Sequence, residues 1–273
     1  MKKIILICVT CLMASFAMSQ ELSYTESPYT SASGAKPAIK QVLNYDKNLI
    51  IGYEITFNYP VEDIEAAVVK RLATEGVEGK QKKTFYIFQG IKYNYLWDKK
   101  FDMYMAFVGS KNAGTIKVIL STGYDNFIIP TQDNITTDKM FKWLTELDID
   151  IQQYRYDVAM VAHQEEYKDI DKELSKLEKK RNNVEKKLKK NANAQSKFEA
   201  SRTIVTENSV NIDTKKIEKE QKKAQQLIEE RSKLEAELAA INKDITNVRS
   251  DLSKKNTAIA ELKKEQPRTN NSK

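Results

Sequence analysis

His163 is the only histidine in the chain, and the two cysteines, Cys8 and Cys11, both lie within the first nineteen residues. Zinc needs several imidazole or thiolate ligands at close spacing, so a lone histidine cannot build such a site. Nucleophilic catalysis needs a base positioned beside a nucleophile. Neither a G-x-S-x-G elbow nor a Walker loop occurs in the chain. Gly76-Val77-Glu78-Gly79-Lys80 comes nearest to a phosphate cradle, and it puts a carboxylate where phosphate would sit. The chain therefore reads as a non-enzyme with no cofactor and no metal. Two other groups of side chains stand out. Tyr86, Phe88, Tyr93, Tyr95, Trp97 and Tyr104 fall at strand spacing, which sends some of them to a core and leaves others as a candidate surface for a partner or a glycan. His163, Arg181 and Arg231 sit on helical apolar stripes, where polar residues set the register of packed helices.

Those stripes are the strongest pattern in the sequence. Met160, His163, Tyr167, Ile170, Leu174, Leu177, Arg181, Val184 and Leu188 advance in steps of three and four. A second series does the same from Ala224 through Leu227, Arg231, Leu234, Leu238, Ile241, Ile245, Val248 and Leu252 to Leu262. Such spacing holds a narrow seam on one side of a helix, which is buried against another helix. The pattern lapses over residues 191–213, leaving arms at 139–190 and 214–265 that favour an antiparallel hairpin over a continuous rod. Setting a positions against d positions gives two registers, one with Leu174 beside Leu234 and one with Leu174 beside Leu227.

A smaller domain precedes the arms, at 48–138. Leu49 to Tyr59 alternate apolar with polar residues, as a half-buried strand does. Pro60 ends that strand and opens a helix with Glu62, Asp63 and Glu65 in its first turn and an apolar stripe of Val61, Ile64, Val68 and Leu72. Further β segments are predicted at Phe85–Phe88, Ile91–Trp97, Phe101–Val108 and Ile116–Ser121, with Gln89-Gly90 as either a hairpin turn or a kink. Thr136, Thr137 or Asp138 caps a helix starting near Met140. The fold class is α+β: a small antiparallel sheet with helices on one face, followed by a long coiled-coil hairpin. Residues 20–47, rich in Ser, Thr, Pro and Ala, read as a flexible lead in which Ile39–Leu43 can add an edge strand, and 266–273 as a disordered tail.

Residues 1–19 have the form of a signal peptide. Lys2 and Lys3 precede an apolar run from Ile4 to Met18, and Ala17 and Ser19 place small residues before a cut at Gln20. The formal net charge is +7. It is uneven, because residues 20–150 hold 15 basic and 17 acidic side chains whereas residues 151–273 hold 28 and 21. The second half has almost no aromatic residues after Tyr167, which argues against nucleic acid. Its mixed charges suit a solvated helix face, with contact to an anionic membrane or polymer surface as the alternative.

Asn58-Tyr59-Pro60-Val61-Glu62-Asp63-Ile64-Glu65, the stretch Leu72–Lys80, Phe101-Asp102-Met103-Tyr104 and Gly123-Tyr124-Asp125-Asn126-Phe127 resemble a group of exported proteins common in Bacteroidetes. The resemblance covers most of residues 48–265 and implies architecture and export, with no activity or ligand to carry over. Skp-type periplasmic holdases also join a β domain to helical arms, in a different order. The expectation is an exported, periplasmic or envelope-associated scaffold, spacer or interaction module, acting on an envelope protein or on itself. The alternatives are a holdase using the arms and a ligand- or glycan-binding module using the aromatic sheet face. N-terminal sequencing of the secreted product should read Gln20 as its first residue, and a membrane-held product beginning at Met1 would refute the signal peptide.

Overall fold

The computed structural model describes residues 26–31, 33–45, 47–123, 126–128, 134–208 and 214–267. The expected signal peptide and the tail beyond Pro267 lie outside the described residues. The chain divides into two compact units, one running to Tyr156 and the other spanning Asp157–Gln266.

The first unit is built on a six-stranded antiparallel sheet. Its strands are β1 (Ile39–Tyr45), β2 (Asn48–Phe57), β3 (Lys80–Lys82), β4 (Phe85–Ile91), β5 (Phe101–Gly109) and β6 (Gly114–Ser121). Their spatial order is β1-β2-β6-β5-β4-β3. The pairs Tyr53↔Val118, Ile55↔Ile116, Met105↔Val118 and Phe88↔Met103 put one member of each alternating pattern on a common face. Period-2 alternation then sends Ile50, Ile87, Tyr104 and Ile119 to the opposite face. The edges are blunt. Ser27 N–H donates to the Ala38 carbonyl beside β1, and β3 is only three exposed residues, Lys-Gln-Lys.

Helix α1 (Val61–Thr74) starts after Pro60 and buries Ile64, Ala67, Val68 and Leu72 on the first face, as their three- and four-residue spacing requires. Glu75 and Gly76 end it, with Gly76 at φ +77° and the Val77 N–H returning to the Leu72 carbonyl. Helix α2 (Asn134–Asn208) closes the same face with Met140, Phe141, Trp143, Leu144, Leu147 and Ile151. Helices on one sheet face is therefore the observed arrangement.

Three local expectations need correction. The lead is not free from residue 26 onward: Ala35 and Ala38 are buried, β1 extends to Tyr45, and Ser33 donates through N–H and hydroxyl to both oxygens of the buried Asp148 carboxylate (2.7 and 2.6 Å). Ile91–Trp97 is not a strand. The sheet pairing shifts between Phe88 and Ile91, and the chain then turns, with the Leu96 and Trp97 N–H groups both donating to the Tyr93 carbonyl. Tyr93 and Leu96 are both buried, and apolar residues three apart favour a helical turn over an extended segment. The threonines near 136 lie inside α2, where the Thr137 hydroxyl meets the Tyr53 hydroxyl at 3.1 Å.

In the second unit α2 packs antiparallel against α3 (Thr214–Lys264). Each stretch of ~51 residues spans ~77 Å at the α-helical rise. The hairpin is as expected, but residues 191–208 continue α2 instead of forming a loop. Contacts across the hairpin, Asn191 and Gln195 to the Leu227 carbonyl, His163 to Lys255 and Glu178 to Arg249, join positions whose numbers add to between 418 and 427. Leu174 thus lies near Val248, about two heptads from Leu234 and three from Leu227. Both expected registers are displaced, by two and three heptads, because extending α2 to Asn208 moves the reversal toward the C-terminus. A heptad slip preserves the a-against-d pattern, which is why the stripe alone did not select among registers.

Gly114 marks where α1 meets the sheet. A Cβ there would lie 2.6 Å from Ile64 Cδ1 and 2.9 Å from Val61 Cα, a backbone atom that cannot swing aside. Gly114→Ala should cost about 1–3 kcal/mol through displaced helix packing. Urea unfolding followed by tryptophan fluorescence measures it, and an unchanged midpoint would mean the helix adjusts freely.

Candidate interaction surfaces

The six aromatics singled out by spacing do not form one surface. Phe88 and Tyr93 are buried in the helix-covered core, with Tyr86 and Trp97 packed at its margin. Tyr86 donates its hydroxyl to Glu65 (2.8 Å), and Trp97 lies against Phe101 with centroids 6.2 Å apart. Tyr95 stacks on Tyr93 at 6.0 Å and donates to Glu146. Tyr104 alone projects to the other face. Phe88 is covered by α1 and α2, whereas Tyr93, Tyr95 and Trp97 lie in the β4–β5 connection and not on a strand face.

Around Tyr93 the aromatics join charged residues in one network. Arg71, near the end of α1, is 2.5 Å from Asp150 and 3.8 Å from Glu146 on α2, and 3.4 Å from Glu75 on its own helix. Its guanidinium also lies over the rings of Tyr95 (5.9 Å) and Trp143 (5.8 Å). Tyr93 donates to Glu75 (2.5 Å) and accepts from the Trp143 indole N–H (3.0 Å). Burial holds Asp150 above the usual carboxylate range, and Arg71 offsets only part of that. Burial lowers Arg71, but Asp150, Tyr93 and Glu75 more than reverse it. Burial first, and then the bond to Glu75, pushes Tyr93 well above the usual phenol range, while burial and Glu146 do the same to Tyr95. Three carboxylates around one cation can hold a cationic ligand in principle, but Arg71 already occupies the aromatic faces and the carboxylates. The arrangement works as a clamp between α1, α2 and the β4–β5 connection.

The opposite face carries a smaller apolar cluster with no helix over it among the described residues. Leu43, Ile50, Tyr104 and Ile119 are buried there beneath Tyr45, Phe85, Ile87 and Phe127. Tyr45 sits at the centre, with ring centroids 4.8 Å from Tyr104, 5.3 Å from Phe85 and 5.9 Å from Phe127. Tyr45 meets Phe85 and Phe127 edge-on and Tyr104 at a tilt, so these rings spend their faces and edges on one another.

No known protein family, curated protein or solved structure matches this chain. Its reading rests on its own geometry.

The polar residues of the stripe separate in the hairpin. His163 Nδ1 accepts from the Lys255 ammonium at 3.2 Å, and Lys255 also pairs with Glu166. Arg181 is half-buried on the seam, its Nε 3.6 Å from Glu185 and without a hydrogen bond. Arg231 is exposed and held by Glu235 at 2.8 Å, outside the buried seam. Sequence reasoning missed Asn191, which is 4% exposed and donates to the Leu227 carbonyl and to Glu230, both at 3.1 Å. The signal was present: Leu188, Asn191, Gln195 and Phe198 keep the three-four spacing, with amides where leucines would have announced the seam. Nothing in the sequence paired Arg71 with Asp150.

The Tyr93 environment sets a pH dependence. A phenol whose folded-state value exceeds its unfolded value of ~10 stabilises the fold below that pH. Stability is then lost as pH rises above ~10, where the unfolded chain ionises first. Urea midpoints for the native chain should fall steeply from neutral to strongly alkaline solution. Tyr93→Phe should start lower and fall less, and parallel curves for the two proteins would show that Tyr93 carries no linkage.

Proposed function

We propose that the protein is an exported, non-enzymatic spacer or interaction module of the cell envelope. The observation that carries this reading is the closed seam of the hairpin. Val184, Leu234, Ile241 and Ile245 are buried between antiparallel helices, with Leu174, Leu177, Leu188 and Leu238 packed around them. Side chains of the hairpin itself fill this stretch of the seam, which supports a stiffening role.

Export is supported by the apolar run Ile4–Met18 with its small residues before Gln20, and by the resemblance to exported proteins. No helix among the described residues is long and apolar enough to cross a membrane. The holdase reading has less support, since its arms need exposed apolar surface between them. The ligand-binding reading is weakened by the aromatic rings that close on themselves around Tyr45.

Cysteines at Gln195 and Leu227 should form an intrachain disulfide in the mature protein, which has no other cysteine if cleaved before Gln20. Pairs at Leu174 with Leu234 or with Leu227 should not. The locked protein, like the unlocked one, should leave the aggregation of a heated client unchanged when followed by light scattering. Suppression of aggregation that disappears on locking would replace the spacer with a holdase.

A further inference from the structure

The charge of the hairpin is polarised along its length. Residues 179–243, the half nearer Asn208 and Thr214, hold 17 basic and 10 acidic side chains, whereas residues 157–178 and 244–266 together hold 8 and 11. The basic excess is concentrated on α2. Lys180, Lys187, Lys190 and Lys197 advance by seven, three and seven residues, which stacks them on one side of a helix. Lys179 and Lys186 fall on the same side, and the six together span about a third of a turn. All six are exposed, and among the described residues none lies within ion-pair distance of a carboxylate. The neighbouring carboxylates are engaged elsewhere, Glu178 by Arg249, Glu185 by Arg181 and Glu230 by Asn191.

An uncompensated row of like charges repels itself, which a stable helix tolerates where its other faces are well packed. Val184 and Leu188 supply that packing from the same turns. The row is ~27 Å long at the helical rise and contains no aromatic or large apolar residue. It is made of lysine, a hydrated point charge, and not of arginine, whose fork reads phosphates in pairs. Such a row has nothing to insert between acyl chains or bases. It fits a flat anionic surface, on which all the ammonium groups come within one screening length together.

We propose that the lysine row Lys179–Lys197 of α2 docks the hairpin, side-on, to the headgroups of an anionic lipid bilayer. This rests on the reading of the hairpin as a closed spacer and names what that spacer lies against.

The test uses the full mature chain and vesicles of phosphatidylglycerol with phosphatidylcholine, in a flotation assay at several salt concentrations. The chain should float with the mixed vesicles, stay behind with phosphatidylcholine alone, and be released as salt rises. Lys180→Gln, Lys187→Gln and Lys190→Gln combined should keep the helical signal and lower the affinity at least about tenfold. Lys254→Gln, Lys263→Gln and Lys264→Gln combined should leave it nearly unchanged. Equal binding to uncharged vesicles, no loss in the first variant, or tighter binding to heparin than to the vesicles would overturn the proposal. The last result would assign the row to a linear polyanion. Failure of the spacer reading shows separately, as absence of the Gln195–Leu227 disulfide.

Discussion

Trp143, Leu144, Leu147 and Ile151 bury against the sheet, and farther along the same helix Leu177, Val184 and Leu188 bury against α3. One helix thus completes two separate hydrophobic cores, and both units depend on its doing so. Without the first set of residues the sheet face would keep only the cover that α1 gives it, and without the second α3 would lose the helix it packs against. A helix presents two stripes in succession by displacing the second around its circumference, which the steps from Ile151 and Tyr154 to Met160 and His163 accomplish. The cost falls on the residues between them. Val158 is 50% exposed and Val161 is 53% exposed.

Polar interactions take a different role in each unit. In the first, the Arg71 clamp and the Ser33–Asp148 bonds tie distant segments together at points where apolar packing has already brought them near. Arg155 does the same from α2, pairing with Asp63 at 3.2 Å and lying 4.9 Å over the ring of Tyr59. Asp63 therefore serves two ends, complementing the start of α1 and anchoring a neighbouring helix. In the second unit the buried amide of Asn191 contributes little attraction, and its Oδ1 has no hydrogen-bond partner among the described residues. Its value is selective, since heptad-slipped pairings would have to bury the whole amide unsatisfied.

Legibility in the sequence followed how local each cause was. Pro60, the acidic first turn and the Ile64–Val68–Leu72 spacing define α1 within fourteen residues, and the structure has that helix at Val61–Thr74. The segments Leu49–Tyr59, Phe85–Phe88, Phe101–Val108 and Ile116–Ser121 are present as strands with ends shifted by up to three residues, whereas Ile91–Trp97 is not a strand. What failed was long-range or disguised. No local pattern tells whether Phe88 faces a helix or water, because covering that face requires α2, more than fifty residues away. The seam beyond Leu188 was hidden by amides that keep the spacing while lacking the apolar chemistry. The hairpin registers were misplaced because a repeat of seven is indifferent to slips of seven, and what breaks that indifference here is polar or distant, the Asn191 amide and the continuation of α2 to Asn208.

The margins of the sheet carry a consequence for how the protein can live among copies of itself. An unguarded outer strand offers a ladder of free amides and carbonyls on which a neighbouring molecule can grow. Here the outermost strand on one side is Lys80-Gln81-Lys82, too short to template an ordered stack and charged at both ends. On the other side Glu26 bridges to Ile39 and occupies the start of β1. A neighbouring molecule that tried to extend the sheet would therefore meet a charged three-residue strand on one side and an edge already occupied at its start on the other.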